Sequence, residues 1–128
     1  MSGISDAALV AALRRQMTIS VARQVASAGN LANVDTPGFK AREMKFDSEL
    51  DKQLGTLKTT HPLHLTPGGL NGAVEQEIEG LEERRDGNNV QVDRELLTMG
   101  RAAGDFSAAQ TVLAAKFRLV RYAINEGK

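Results

Sequence analysis

The sequence predicts a mainly α-helical chain in which two long terminal helices pack as a coiled-coil hairpin or bundle around an irregular, partly extended central segment. Three observations carry this. Apolar residues recur at alternating spacings of four and three through the last third of the chain. A helical pattern fills the first third and halts at a Pro-Gly pair. The stretch between them is rich in turn residues and holds no block able to form a core. The boundaries expected are an N-terminal helix over 1–34, a turn and irregular middle with short strands or a short helix over 35–91, and a C-terminal heptad helix over 92–128.

The N-terminal helix is expected to be capped by Ser2 or Ser5, with Asp6 suiting its positively polarised first turn. Val10, Leu13, Met17, Val21, Val25, Ala28 and Ala32 drift along one side, and Ser20, Gln24 and Ser27 dilute that stripe. A helix this polar is marginal alone, because most helical stability comes from packing an apolar face. It therefore needs a partner. It ends in Asn30–Lys40, NLANVDTPGFK. Proline fixes φ and lacks an N–H, the residue before it is pushed out of the helical region, and glycine accepts positive φ. Pro37-Gly38 is thus a hard stop that sends Phe39-Lys40-Ala41-Arg42 in a new direction.

In the middle, Phe39, Ala41, Met44 and Phe46 alternate with charged residues, as in short extended pieces. Leu50, Leu54 and Leu57 suggest a short helix over 47–57. The stretches Thr59-Thr60-His61-Pro62 and Thr66-Pro67-Gly68-Gly69 read as turns, Glu75 to Glu83 is acidic and weakly amphipathic, and Asp86-Gly87-Asn88 is a further turn.

The C-terminal helix carries the cleanest periodicity. Val92, Leu96, Met99, Ala103, Phe106, Gln110, Leu113, Phe117, Val120 and Ile124 form a seven-residue repeat with one polar exception. Sustained 3.5 periodicity gives a narrow seam, as in coiled coils. Asp93 is the expected cap, with Asn88 and Gln91 as the alternative, and the helix should run roughly 50 Å. The seam residues expected to drive packing are Leu96, Met99, Ala103, Phe106, Leu113, Phe117, Val120 and Ile124, either within one chain or between chains. Gly100 and Gly104 each cost about 1 kcal/mol in a helix interior. They mark either close approach by a neighbouring helix or simple tolerance.

Composition narrows the function classes. The 128 residues suffice for one modest domain with a formal net charge of zero. Basic side chains lead towards both ends and acidic ones in the middle, which suits solvated faces or complementary surfaces in an assembly. Four Phe, one Tyr and no Trp argue against a deep core, and without cysteine no disulfide or thiolate metal site can form. No stretch is long and apolar enough to span a membrane, and no cleavable signal peptide is expected. Enzymatic activity is not expected, because the reactive groups do not converge. His61 and His64 lie in a proline-bearing loop with no third ligand indicated, so neither metal nor cofactor is expected. Gly68-Gly69 lacks the lysine and helix start of a phosphate loop. Arg14, Arg15, Arg23, Arg118 and Arg121 are too dispersed for a nucleic-acid surface.

The stretch from Asn30 to Lys40 closely resembles the N-terminal motif of the bacterial flagellar axial proteins, the rod, hook and hook-associated subunits. Gly29 stands where that family usually has alanine. The first helix, the turn and the heptad helix fall where flagellar rod proteins have them, and the short centre excludes relatives with large inserted domains. THPLHL at 60–65 and DGNNVQVDRE at 86–95 resemble the proximal rod type, with the FlgC type of short rod subunit as the alternative. The resemblance implies that Asn30, Leu31, Ala32, Asn33, Thr36, Pro37, Gly38 and Phe39 build the turn and its packing. It further implies export, uncleaved, through the flagellar type III apparatus, assembly into the torque-transmitting helical rod that crosses the periplasm, and contact with other rod subunits, a FliE-type adaptor, the MS ring and the export gate. A soluble coiled-coil export chaperone is the competing reading, and it has no need of the Pro-Gly corner.

Overall fold

A computed structural model of the chain describes residues 5–46 and 73–126. The expected helix over 47–57 and the histidine- and proline-bearing turns that follow it lie outside the described residues. The described chain runs α1 (Asp6–Ala32), β1 (Arg42–Phe46), β2 (Ala73–Glu77) and α2 (Val92–Glu126).

Ser5 caps α1 by accepting the Ala8 N–H at 3.2 Å, with Asp6 in the first turn. The helix closes at Asn33, whose N–H is shared between the Gly29 and Asn30 carbonyls at 3.2 and 3.1 Å. Two turns follow. Thr36 donates to the Asn33 carbonyl at 3.0 Å, and Phe39 donates to the Thr36 carbonyl at 3.2 Å. In the second turn Pro37 stands at the position that favours its fixed φ, and Gly38 has φ +74° at the position that demands a positive one, the pattern of a type II turn.

β1 and β2 form an antiparallel pair in the register Arg42 with Glu77 through Phe46 with Ala73. The Ile78 N–H to the Ala41 carbonyl at 2.9 Å extends that ladder. From Arg84 to Asn88 the chain makes a tight reversal. Gly87 donates to the Arg84 carbonyl at 2.9 Å and Arg84 to the Asn88 carbonyl at 2.8 Å, with Gly87 at φ +82°. This is the three-residue hairpin connection that places glycine in the left-handed region. α2 then begins at Val92, with Glu95 donating its N–H to the Gln91 carbonyl at 3.0 Å. Gln91 thus stands at the cap position and Asp93 inside the first turn.

The two helices run antiparallel, since Asp6 at the start of α1 pairs with Lys116 near the end of α2 at 2.5 Å. The face between them is made of small and polar side chains. Among the described residues the buried hydrophobic ones are Ala41, Val90, Ala102 and Ala109, and the buried polar ones are Ser20, Ser27, Asn30, Asn88, Asn89 and Glu95. Ser20 and Ser27 on α1, and Ala102 and Ala109 on α2, each stand one heptad apart. The Ser20 hydroxyl is satisfied by donating to the Gln16 carbonyl at 2.8 Å. No leucine, isoleucine or phenylalanine is buried among the described residues, so burial of large side chains, worth about 1.5–3 kcal/mol each, contributes little to this unit on its own.

Candidate assembly site

Two stretches far apart in sequence, 30–42 and 84–90, lock into one polar corner. Asn30, 2% exposed at the end of α1, holds both backbone groups of Arg42. Its side-chain oxygen accepts the Arg42 N–H at 2.9 Å and its amide donates to the Arg42 carbonyl at 2.8 Å. A side-chain amide offers a donor and an acceptor side by side without charge, so it pairs with the strand as another strand would. Asn33 donates back to the Gly29 carbonyl at 2.8 Å and accepts from the Thr36 hydroxyl at 3.2 Å.

Asn88 answers from the other stretch. Its buried amide donates to the Asn33 carbonyl at 2.8 Å and the Thr36 carbonyl at 2.9 Å, while its oxygen accepts the Val90 N–H at 2.8 Å. Asn89 accepts the N–H of fully buried Ala41 at 2.6 Å. Gly38 donates to the Asp86 carbonyl at 2.8 Å. The two left-handed glycines lie against each other, and a Cβ on Gly87 would stand 3.4 Å from the Gly38 Cα. At the rim Lys40 donates to the Gly87 carbonyl at 2.8 Å and pairs with Glu83, and Arg84 donates to the Val34 carbonyl.

Of the corner residues named from sequence, Asn30 is buried, Leu31, Asn33 and Phe39 are half-buried, and Ala32, Thr36, Pro37 and Gly38 are exposed. Asn88 and Asn89, which do as much of the holding, are reached through a turn signal that looked merely local. The adjacent pair of asparagines after Asp86-Gly87 was the available clue. Glu95 is the other residue that sequence reasoning passed over. It is 1% exposed, at a cleft shared with Ser27 and Thr98, and its carboxylate accepts from Arg94 at 3.1 Å. Arg94 also reaches Glu43 on β1 at 3.6 Å, tying the first turn of α2 to the sheet.

The heptad residues divide by exposure. Met99, Phe106 and Leu113 are half-buried, beside the buried row Glu95, Ala102 and Ala109. Leu96, Ala103, Phe117, Val120 and Ile124 are exposed, Phe117 at 55% and Ile124 at 64%. α2 thus turns its small row inward and half of its apolar seam outward. Phe117, Val120 and Ile124 lie past the Asp6–Lys116 pair, where α1 has not begun, and alongside α1 its buried serines admit alanine-sized neighbours. Gly100 and Gly104 are exposed, with nothing in the chain within 4 Å of a Cβ built on either. Near the far end of α2 the Tyr122 phenol, hydrogen-bonded to the Glu126 side chain, has its pKa raised from the ordinary value of 10.0.

The described residues hold no group of three or more His, Cys, Asp or Glu that could bind a metal ion, and none of their helices is long and apolar enough to cross a membrane. The arrangement suits packing against other chains: a rigid polar joint that aims two elements, and long helical faces with apolar rows left open.

No family model matches the chain. Among curated proteins it is similar to the flagellar basal body rod protein FlgB of Escherichia coli, 36% identical over 101 residues that take in 68% of this chain and 73% of the relative. The protein of that name from Buchnera aphidicola is 38% identical over 81 residues, 57% of this chain and 61% of the relative. The one from Salmonella typhimurium is 29% identical over 126 residues, 86% of this chain and 90% of the relative.

Proposed function

The chain belongs to the flagellar basal body rod protein FlgB family, and on that premise we propose that it is a structural subunit of the proximal rod, built into a helical assembly with other rod subunits and copies of itself. The observation that carries this is the outward half of the α2 seam. A helix that leaves Leu96, Phe117, Val120 and Ile124 in water is incomplete until neighbouring helices cover them. The corner supports the same reading, because a joint that fixes the angle between helix and strand sets how each subunit meets the next. Torque passes through a rod only if such joints are stiff, and the bonds around Asn30 and Asn88 supply stiffness.

In this proposal the subunit reaches the rod through the flagellar type III apparatus without a cleaved signal, and sits in the periplasmic basal body against a FliE-type adaptor at the MS ring and export gate. A marginal, cysteine-free chain suits a route that passes unfolded polypeptide. Its work is mechanical; it needs no cofactor and catalyses no reaction. Fractionation tests this. A rod subunit sediments with purified basal bodies, and recovery of the chain solely from the soluble cytoplasm would favour the chaperone reading instead. Phe117→Asp, at an exposed position, should leave expression intact and abolish motility; unimpaired swimming would remove the seam from the account.

A further inference from the structure

α2 outruns its partner. Asp6, where α1 begins, is already paired with Lys116, so residues 117–126 project about 15 Å beyond that point. On this overhang Phe117, Val120 and Ile124, at i, i+3 and i+7, form one exposed apolar stripe, with Arg118 and Arg121 beside it.

The same chain carries an apolar trough elsewhere. Val21, Val25 and Gly29, at i, i+4 and i+8 on α1, form one wall, and Met44 on β1 forms the other. Phe106 closes one end and Phe39 the other. It consists of two adjoining hollows of about 460 and 440 Å³ that share Val25 and Met44. No charged side chain lines the first hollow, and the second is lined by Glu75 and Arg42, which pair with each other at 3.8 Å. Val25 is 65% exposed, so the chain's described part leaves its middle uncovered. From Met17 to Ala32 α1 spans roughly 22 Å, room for the overhang to lie lengthwise. Helix-in-groove recognition uses anchors at just the spacing that Phe117, Val120 and Ile124 provide.

Resting on the rod-subunit reading, we infer that the overhanging end of α2 seats in the trough of a second copy of this chain. The length match supports this, and so does charge. Arg118 and Arg121 flank the stripe, while β2 beside the trough exposes Glu75 and Glu77 and the following turn exposes Glu79. The overhang leaves from the end of the helix pair marked by Asp6, away from its own trough, so donor and acceptor surfaces meet only between copies. Such a contact is heterologous, and in the helical assembly proposed above it would run on as an open series of subunits.

The chain has no cysteine, which gives a direct test. Val21→Cys and Val120→Cys, both at exposed positions, are expressed together in the bacterium that makes the protein, and basal bodies are isolated and oxidised. The expected result is a mixed dimer joining the two variants, lost when Val25→Glu is added to the first or Ile124→Glu to the second. Basal bodies that contain the chain but yield no mixed dimer, or a Val120→Cys homodimer in its place, overturn the inference and leave the rod reading standing. An intramolecular product between Val21→Cys and Leu54→Cys would assign the trough to the chain itself and overturn it equally. Absence of the chain from basal bodies sinks both.

Discussion

Asn88 shows why the corner depends on residue chemistry rather than on volume. Its amide makes three hydrogen bonds, and two of them reach carbonyls on the far side of the corner. Asn88→Ala should cost about 2–4 kcal/mol, because each net bond is worth roughly 1 kcal/mol and the orphaned buried groups add their desolvation. Denaturant midpoints on the purified chain measure it. Asn88→Asp is more telling. A carboxylate cannot donate to the Asn33 and Thr36 carbonyls, whereas a protonated carboxyl can donate once. Repulsion by those carbonyls would raise the folded-state pKa of the new acid above its unfolded value, so the stability it lacks at neutral pH should return as pH falls through that raised pKa. A loss for Asn88→Asp that is the same at pH 4 and pH 7 would contradict the donor assignment. Gly87→Ala puts a side chain on a backbone at φ +82° and should cost about 1–2 kcal/mol.

At the scale of elements, the inner face of the helix pair is set by Ser20, Ser27, Ala102 and Ala109. Ala102→Leu should force the helices apart at a cost of about 1–3 kcal/mol, seen as a lower thermal midpoint by circular dichroism. Gly100→Ala and Gly104→Ala point the other way. With space around each new methyl, each should raise the helical stability of the isolated chain by about 1 kcal/mol. If the same substitutions stop motility, close approach by a neighbouring helix is the reason for the glycines. The elements themselves were legible in the sequence, because heptad spacing, a serine cap and a Pro-Gly stop are local signals. The first strand could be read from alternation around Met44 and Phe46. Its partner could not, since Ala73–Glu77 is short, acidic and defined by pairing. Nor could the inward row of α2 be read: hydrophobicity points to Leu96 and Phe117, but the small buried side chains of α1 take alanines beside them, and Phe117 lies past the start of α1. The corner was half visible, as a turn whose docking partner lies some fifty residues on.

For the molecule as a whole, stability should depend on how many copies are present. A ligand that binds only the folded state raises apparent stability by mass action, and in the proposed assembly that ligand is another subunit. Helical signal and thermal midpoint should therefore rise over a roughly hundredfold increase in concentration. A sharp transition that stays put would mean that the chain folds fully without neighbours. The row of serines facing alanines has a further consequence. Along that row the side chains are short and evenly spaced, so it fixes the distance between the helices more than their position along each other, where a slip of one heptad would be about 10 Å. Half-buried Met99, Phe106 and Leu113 beside the row contribute to the axial alignment, and two fastenings at opposite ends hold it: the asparagine corner and the Asp6–Lys116 pair. Since an exposed ion pair is worth at most about 1 kcal/mol, the corner is the stronger of the two fastenings.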